Sequence, residues 1–298
     1  MKPAMTSEST LPKEEGYLDS FDPELRRAFE FAHQKVNPEL VDHSRVKMQK
    51  DSVLISGDGT FYTLQGEGPT MGLPCVFVRL HVCNLRCTWC DAWYTWNPNT
   101  EEFWTEPSRV SFSELAERII QTWEGPPRAQ KRVVFTGGEP LIQRKQLDEV
   151  VKLLNPDWYD ELGRSEFVHH SEWEVEFETN GTLMPTKDQL FYAQFNVSPK
   201  LSNSDNNHHQ MVKPKIIQAL NKRYSTFKFV VTSPEDLDEI EELYLPHIDF
   251  DKVIIMPQGV TAEEVDMNAA RVAEYVKEKG FRMLGRLQNQ IWGARRGV

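Results

Sequence analysis

The sequence predicts an α/β fold: a parallel sheet covered by helices, curled into an incomplete barrel or left open. Three observations carry this. From Val53 onward, short β-type runs alternate with amphipathic helical stretches, the pattern of parallel strands joined by right-handed crossovers. About six such runs occur, too few for a closed eight-stranded barrel. Several are short and continuously apolar, as in strands covered on both faces.

The elements follow in order. Residues Met1–Asp51 are charge-rich and lack strand-like runs. They read as an extension made of an arm, one helix and a linker. Asp22-Pro23-Glu24 starts that helix, with Asp at the cap and Pro at the first helical position. Leu25, Phe29 and Phe31 give it only a weak apolar stripe. Residues 52–298 form the core domain. Strands are expected at Cys75–Leu80, Val133–Thr136, Glu174–Glu178, Phe195–Val197, Phe227–Val231 and Val253–Met256. Ser111 and Glu114 make a capping-box pattern before Leu115, Ile119, Ile120 and Trp123 on one helical face. Lys145–Leu154 and the stretch after Ser233-Pro234 read as helices, and Thr261–Lys279 as the last long one, stopped by Gly280. Functional residues of such a fold belong at the strand C-termini.

Composition narrows the classes. The chain has 298 residues, 39% hydrophobic and 27% charged, enough for a sizeable core and too apolar for a mainly disordered chain. No apolar run is long enough to cross a membrane. Met1–Gly16 has no apolar core, so no secretory signal is expected and a reducing cytoplasm is. A net charge of −11 argues against a nucleic-acid partner.

Two motifs carry chemistry. Cys83, Cys87 and Cys90 form a C-x3-C-x2-C run after the first strong strand. Three thiolates on one loop can bind three irons of a [4Fe–4S] cluster and leave the fourth open. Cys75 is the alternative fourth ligand, and a zinc loop using His81 is the alternative chemistry. The second motif is Phe135-Thr136-Gly137-Gly138-Glu139-Pro140, straight after a strand. Its two glycines allow close backbone approach to a ligand, and Glu139 offers a carboxylate. Taken alone it reads as an ordinary turn. Gln65-Gly66-Glu67-Gly68 places an amide and a carboxylate on a glycine-flanked loop, suited to a polar heterocycle or to solvent. Ser202–His209 reads as an exposed polar loop, its paired histidines solvated. Trp93, Tyr94 and Trp96 read as a water shield, core or dimer surface.

Together the cysteine run and the Gly-Gly-Glu-Pro segment resemble the radical S-adenosylmethionine (SAM) superfamily. Gln65-Gly66-Glu67-Gly68, Phe77-Val78-Arg79, Glu178-Thr179-Asn180-Gly181, Ser198-Pro199-Lys200, Pro257-Gln258-Gly259 and the ending from Trp292 to Val298 resemble its 7-carboxy-7-deazaguanine synthase family, over about Val53 to Val298. The resemblance implies a partial TIM-like β/α barrel of the radical SAM type. It implies a [4Fe–4S] cluster on Cys83, Cys87 and Cys90, whose open iron binds SAM, and an external electron donor such as flavodoxin. The implied reaction is ring contraction of 6-carboxy-5,6,7,8-tetrahydropterin to 7-carboxy-7-deazaguanine with loss of ammonia. By motif match, Leu64, Gln65, Gly66 and Glu67 read the pterin, Arg79 pairs with its carboxylate, and Thr136 and Val298 touch it. Trp89 lies beside the cluster. Gly138, Glu139, Glu178, Asn180, Ser198, Lys200 and Gln258 hold SAM. A homodimer is also implied. A glycyl-radical activating enzyme and a non-catalytic metal-binding module are the competing readings. One position departs from the family pattern. Cys90-Asp91-Ala92 stands where the family has Cys-Asp-Thr, whose threonine ligates Mg²⁺. Alanine offers no oxygen, so Mg²⁺ is left to bind through water, through Asp91, or not at all.

Overall fold

Val76, Val78 and Leu80 alternate with Cys75, Phe77 and Arg79, and this two-residue period sorts the first parallel strand into two faces. The computed structural model describes residues 36–158 and 172–298. The parallel strands are β2 (Pro74–Leu80), β4 (Lys131–Gly137), β5 (Trp173–Thr179), β6 (Gln194–Val197), β7 (Ser225–Val231) and β8 (Val253–Pro257), extended by the short β9 (Arg282–Met283). These cover all six strands expected from the sequence.

The other edge is antiparallel, against the expectation of a purely parallel sheet. β1 (Val53–Leu64) pairs antiparallel with β2, and β3 (Pro107–Val110) antiparallel with β1. Residues 65–73 between β1 and β2 are too few for a parallel crossover, which needs about a dozen. Gln65 N–H to Leu73 O (2.8 Å) and Gly72 N–H to Gln65 O (2.7 Å) close the turn instead. The strand order β3-β1-β2-β4-β5-β6-β7-β8-β9 is linear, so β3 and β9 are the two ends and the barrel stays incomplete.

Helices α2 (Phe112–Thr122), α3 (Arg144–Leu154), α6 (Pro214–Asn221), α7 (Glu235–Leu243) and α8 (Ala262–Lys279) cover the outer face. Between them lie α4 (Lys187–Tyr192) and α5 (His208–Met211); α1 (Glu101–Thr105) precedes β3, and α9 (Leu287–Trp292) follows β9. The main core lies between sheet and helices, where Val78, Phe135, Phe177, Phe195 and Phe229 meet Ile119, Val150, Ile217, Ile240 and Val272. Of the capping box expected at Ser111, one half forms, with Ser111 Oγ accepting from Glu114 N–H. α7, with Pro234 at its N-cap, has no side-chain cap. Thr261 and Glu264 make a full capping box, and Gly280 ends α8 at φ 75°, as expected.

The inner face corrects the idea that the strands are apolar on both sides. Arg132, Glu176, Asn196 and Lys228 point into the barrel and are all buried. Such groups are tolerated when they satisfy one another, and here most of them do, the buried Asn196 Oδ1 being left without a hydrogen-bond partner among the described residues. Glu176 accepts from Thr70 Oγ1 (2.8 Å), Gln65 Nε2 (2.8 Å), Asn196 Nδ2 (3.1 Å) and Arg132 Nη1 (3.4 Å).

The helix expected after Asp22 lies outside the described residues. Residues 36–51 are described, and two contacts tie their backbone to the following elements. Arg109 Nη2 donates to Lys47 O (2.8 Å) and Gln146 Nε2 to Gln49 O (2.7 Å).

Candidate active site

The C-terminal ends of the parallel strands open into one cavity of about 800 Å³. Every sequence-predicted site residue lines it except Glu139.

One stretch of the cavity lining is the cysteine loop. The chain leaves β2 through Val82, whose φ of 76° is the left-handed region a β-branched residue normally avoids. Hydrogen bonds hold it there: Val82 N–H donates to Thr95 O (2.8 Å) and Glu139 N–H to Val82 O (3.0 Å). The two glycines where β4 ends serve this contact. A Cβ on Gly137 would stand 2.3 Å from the Leu80 backbone, and one on Gly138 2.1 Å from Val82 O.

Cys83, Cys87 and Cys90 then line the cavity wall. Burial pushes the Cys83 thiol up to about 12, with Glu139 adding to the effect. Burial raises Cys87 and Cys90 too. Neutral thiols of this kind become ligands when a metal centre displaces their protons. Leu85 N–H donates to Cys83 Sγ (3.5 Å) and Asn206 Nδ2 to Cys87 Sγ (3.3 Å). Among the described residues, no three Cys, His, Asp or Glu side chains form a single-ion site. Three thiols on one wall, with amide donors behind two of them, fit the donor set of an iron–sulfur cluster.

The two alternative ligands stand elsewhere. Cys75 is fully buried against Phe77, Val134 and Phe61 and does not line the cavity. His81 is fully buried, with Nε2 3.0 Å from Phe103 O and its ring tilted over Phe103. Burial pushes it down to about 4, against the hydrogen bond to Phe103.

Glu139 is a correction. Expected to face the cofactor, its carboxylate is 1% exposed and points into the loops. It accepts from Thr179 Oγ1 (2.7 Å), Asn180 N–H (2.8 Å) and Leu141 N–H (2.9 Å). It therefore fastens the Gly-Gly loop to the end of β5. Asn180 Nδ2 in turn donates to Asn84 Oδ1 (2.9 Å) in the cysteine loop. Lys200 Nζ bonds Ser198 O (2.7 Å) and Oγ (2.8 Å) and lies 5.5 Å from the Trp89 ring centre. Gln258 is tied by Asn268 Nδ2, at 2.7 Å from its carbonyl.

Another stretch of the cavity lining is a charged wall, joined to the cysteine loop where Arg286 pairs with Asp91. Glu67 is buried among Lys228 Nζ, Arg286 Nε (2.9 Å) and Gln288 Nε2 (2.8 Å). Those cations hold its carboxyl far below the usual range, against the cost of burial. Gln65 is also fully engaged: Nε2 donates to Glu176 and to Glu178 (3.3 Å), and Oε1 accepts Glu67 N–H (3.1 Å). Both residues were expected to read the substrate directly, and both spend their polar atoms on the wall itself. Gly66 O accepts Leu287 N–H (3.0 Å), and a Cβ on Gly66 would collide with Gln288. Glu178, expected beside SAM, accepts from Thr136 Oγ1 (2.8 Å) and lies 3.6 Å from Lys228 Nζ, within the charged wall. Arg79 stands apart. It lies 5.6 Å from the Phe61 ring centre, and no described carboxylate is within ion-pair distance of it.

The surroundings of Ala92 do not fit Mg²⁺. Asp91 Oδ2 is paired with Arg286 Nη2 at 2.5 Å. The Thr95 hydroxyl donates to Ala92 O (2.7 Å). The Arg286 guanidinium joins Glu67 and Asp91, so both nearby carboxylates already have a cation.

Sequence reasoning missed Arg286, Lys228, Gln288 and the 203–206 segment, because none lies in a contiguous motif. The polar stretch read as an exposed loop is partly buried: Ser204 has no exposure and Asn203 accepts from Trp89 Nε1 at 3.1 Å. His208 and His209 are exposed, as expected. Trp93, Tyr94 and Trp96 all line the cavity, with Arg296 3.5 Å from the Tyr94 ring centre.

Comparison with known proteins agrees with this geometry. The family model of the radical SAM superfamily matches residues 78–244, and the chain belongs to that superfamily. A 7-carboxy-7-deazaguanine synthase of Pyrobaculum aerophilum is 34% identical over 241 residues, covering 80% of this chain and 94% of the relative. One from Halobacterium salinarum is 34% identical over 256 residues, covering 78% and 88%. Within the superfamily, the chain belongs to the 7-carboxy-7-deazaguanine synthase family. The crystal structure of QueE from Escherichia coli shares the fold, with a TM-score of 0.54 and 23% identity over 79% of this chain and 94% of that one.

Proposed function

We propose that the protein is a radical SAM lyase that converts 6-carboxy-5,6,7,8-tetrahydropterin to 7-carboxy-7-deazaguanine with loss of ammonia. The observation that carries this is one cavity lined both by three thiols and by a closed charge network, beside which Arg79 has no ion-pair partner among the described residues. Family membership supplies the reaction class. A [4Fe–4S] cluster with SAM supplies the hydrogen-abstracting radical chemistry when bound. This chain's residues bind, orient and exclude water.

The roles follow from position. Arg79 offers a planar fork to the substrate carboxylate. Thr136, Glu178, Val298 and the Leu64–Gly66 backbone edge the substrate space. Gln65 and Glu67 keep that edge rigid. Lys200, Ser198, Asn180, Gly138 and Gln258 surround the SAM space, and Trp89 covers the cluster loop. Glu139 acts on SAM only through the loops it fastens. Residues 1–51 are an extension to a catalytic unit of residues 52–298. We further read the enzyme as a cytoplasmic homodimer reduced by an external donor such as flavodoxin. No helix among the described residues is long and apolar enough to cross a membrane.

The test is anaerobic reconstitution with iron and sulfide, then reduction in the presence of SAM and 6-carboxytetrahydropterin, with products followed by mass. Formation of 7-carboxy-7-deazaguanine is expected. Release of 5′-deoxyadenosine without that product would keep the superfamily chemistry and reject this substrate.

A further inference from the structure

We infer that Asn206 is a positioning residue that raises the reduction potential of the cluster through the hydrogen bond from its amide to Cys87 Sγ. The inference rests on the three-cysteine cluster proposed above and deepens it.

The geometry is built, not incidental. Asn206 Nδ2 lies 3.3 Å from Cys87 Sγ, the shortest donor contact to any of the three thiols among the described hydrogen bonds. The amide cannot be flipped, because its Oδ1 accepts Arg86 N–H at 2.9 Å. A flipped amide would set two donors against each other. Nδ2 also meets Ser204 Oγ at 3.1 Å, so its two hydrogens have separate acceptors.

The segment carrying Asn206 is fixed from behind. Glu239 accepts from Ser202 N–H (2.9 Å) and Ser202 Oγ (2.6 Å). Asn203 Nδ2 bonds Asp236 Oδ2 and Val230 O, both at 3.0 Å. Asp205 turns the chain through the left-handed region at φ 59° and delivers Asn206 to the sulfur. From the other side, Thr88 N–H donates to Ser204 O (3.2 Å) and Trp89 Nε1 to Asn203 O (3.1 Å). The cysteine loop and the 203–206 segment therefore clasp each other on both sides of Cys87.

The physical consequence concerns one electron. On reduction the cluster takes one electron from an external one-electron donor, and no bond at Cys87 forms or breaks. The added negative charge spreads onto the cysteine sulfurs. An N–H aimed at a sulfur stabilises the reduced form more than the oxidised one, so it raises the potential. Removing the donor makes the cluster harder to reduce.

The experiment uses the reconstituted full-length holoenzyme and its Asn206→Leu variant, which keeps the volume and loses the donor. Both are titrated with a redox buffer, and the reduced cluster is counted by electron paramagnetic resonance. At the poise where wild type is half reduced, the reduced-to-oxidised ratio of the variant should fall about tenfold, which is ~59 mV for a one-electron couple. A purely structural role would lower iron content or melting temperature and leave that ratio unchanged, and an unchanged ratio overturns the inference. If the leucine variant assembles no cluster, wild type decides. With asparagine side chains labelled with ¹⁵N, the reduced cluster should show a nitrogen coupling from an amide at hydrogen-bond distance, and its absence overturns the inference. If wild type itself assembles no cluster, it is the family reading of this site that fails.

Discussion

The cysteine side and the charged side of the cavity wall are built in opposite ways. On the cysteine side the functional atoms are left available: burial keeps three thiols neutral, and amide donors stand behind two of them. On the charged side almost every polar atom is already taken. Glu67 has three partners, Gln65 uses both its hydrogens and its oxygen, and Arg286 spans Glu67, Asp91 and Gly259 O. The first arrangement is chemistry awaiting a ligand. The second is a wall whose shape is set before the substrate arrives, which lowers the cost of ordering it on binding. Arg79 is the exception within that wall: among the described residues it has no ion-pair partner, and it is the group we propose for the substrate carboxylate.

This contrast can be broken most sharply on the cysteine side. Cys87→Ala should abolish both the cluster's iron signature and SAM cleavage, whereas Cys75→Ala, buried away from the cavity, should leave both at wild-type levels. Turnover by Cys87→Ala at the wild-type rate would remove the radical reading altogether.

On the charged side the largest loss is expected in stability. Glu67→Gln leaves Lys228 and Arg286 without their shared anion and should cost about 3 kcal/mol, the size typical of breaking a buried pair from one side. The pH dependence has a definite sign. Glu67 is depressed in the fold, so its contribution is complete above the ordinary carboxylate value of 4.5 and is lost as pH falls through its lowered folded value. Glu139 and Glu176 are pushed up by burial and act in the opposite direction. Denaturant melts of wild type and Glu67→Gln should therefore differ most at neutral pH and converge under acid. A constant difference would show that the pair does not behave as an ion pair.

Arg79→Ala tests the exception. It should raise KM for the pterin ten- to a hundredfold, from the ~1.5–3 kcal/mol of hydrogen bonding to a charged group. SAM cleavage without substrate should continue. An unchanged KM would show that the carboxylate is bound elsewhere.

The smallest expected effect is none. With Asp91 and Glu67 both held by Arg286, enzyme stripped with a chelator should turn over as fast as enzyme given Mg²⁺. Mn²⁺ used as a spin probe should show no tightly bound ion. A chelator-sensitive rate restored by Mg²⁺ would mean that Arg286 yields Asp91 to a cation.

Much of this fold and site was legible in the sequence, and for a local reason. Cys83, Cys87 and Cys90 must share one loop because only seven peptide bonds separate the first from the last. The caps of α2 and α8 act within a few residues of themselves. The strand period and the motif positions are short-range properties, so the motif residues that reach the cavity could be read locally, Glu139 excepted. Only the tertiary structure decided which way their polar atoms face. Lys228 and Arg286 meet Glu67 across 161 and 219 residues, and Asn206 meets Cys87 across 119. Whether a carboxylate such as Glu139 or Glu67 greets a ligand or fastens a loop depends on the donors packed against it. Those donors arrive from distant strands, and no local pattern encodes them.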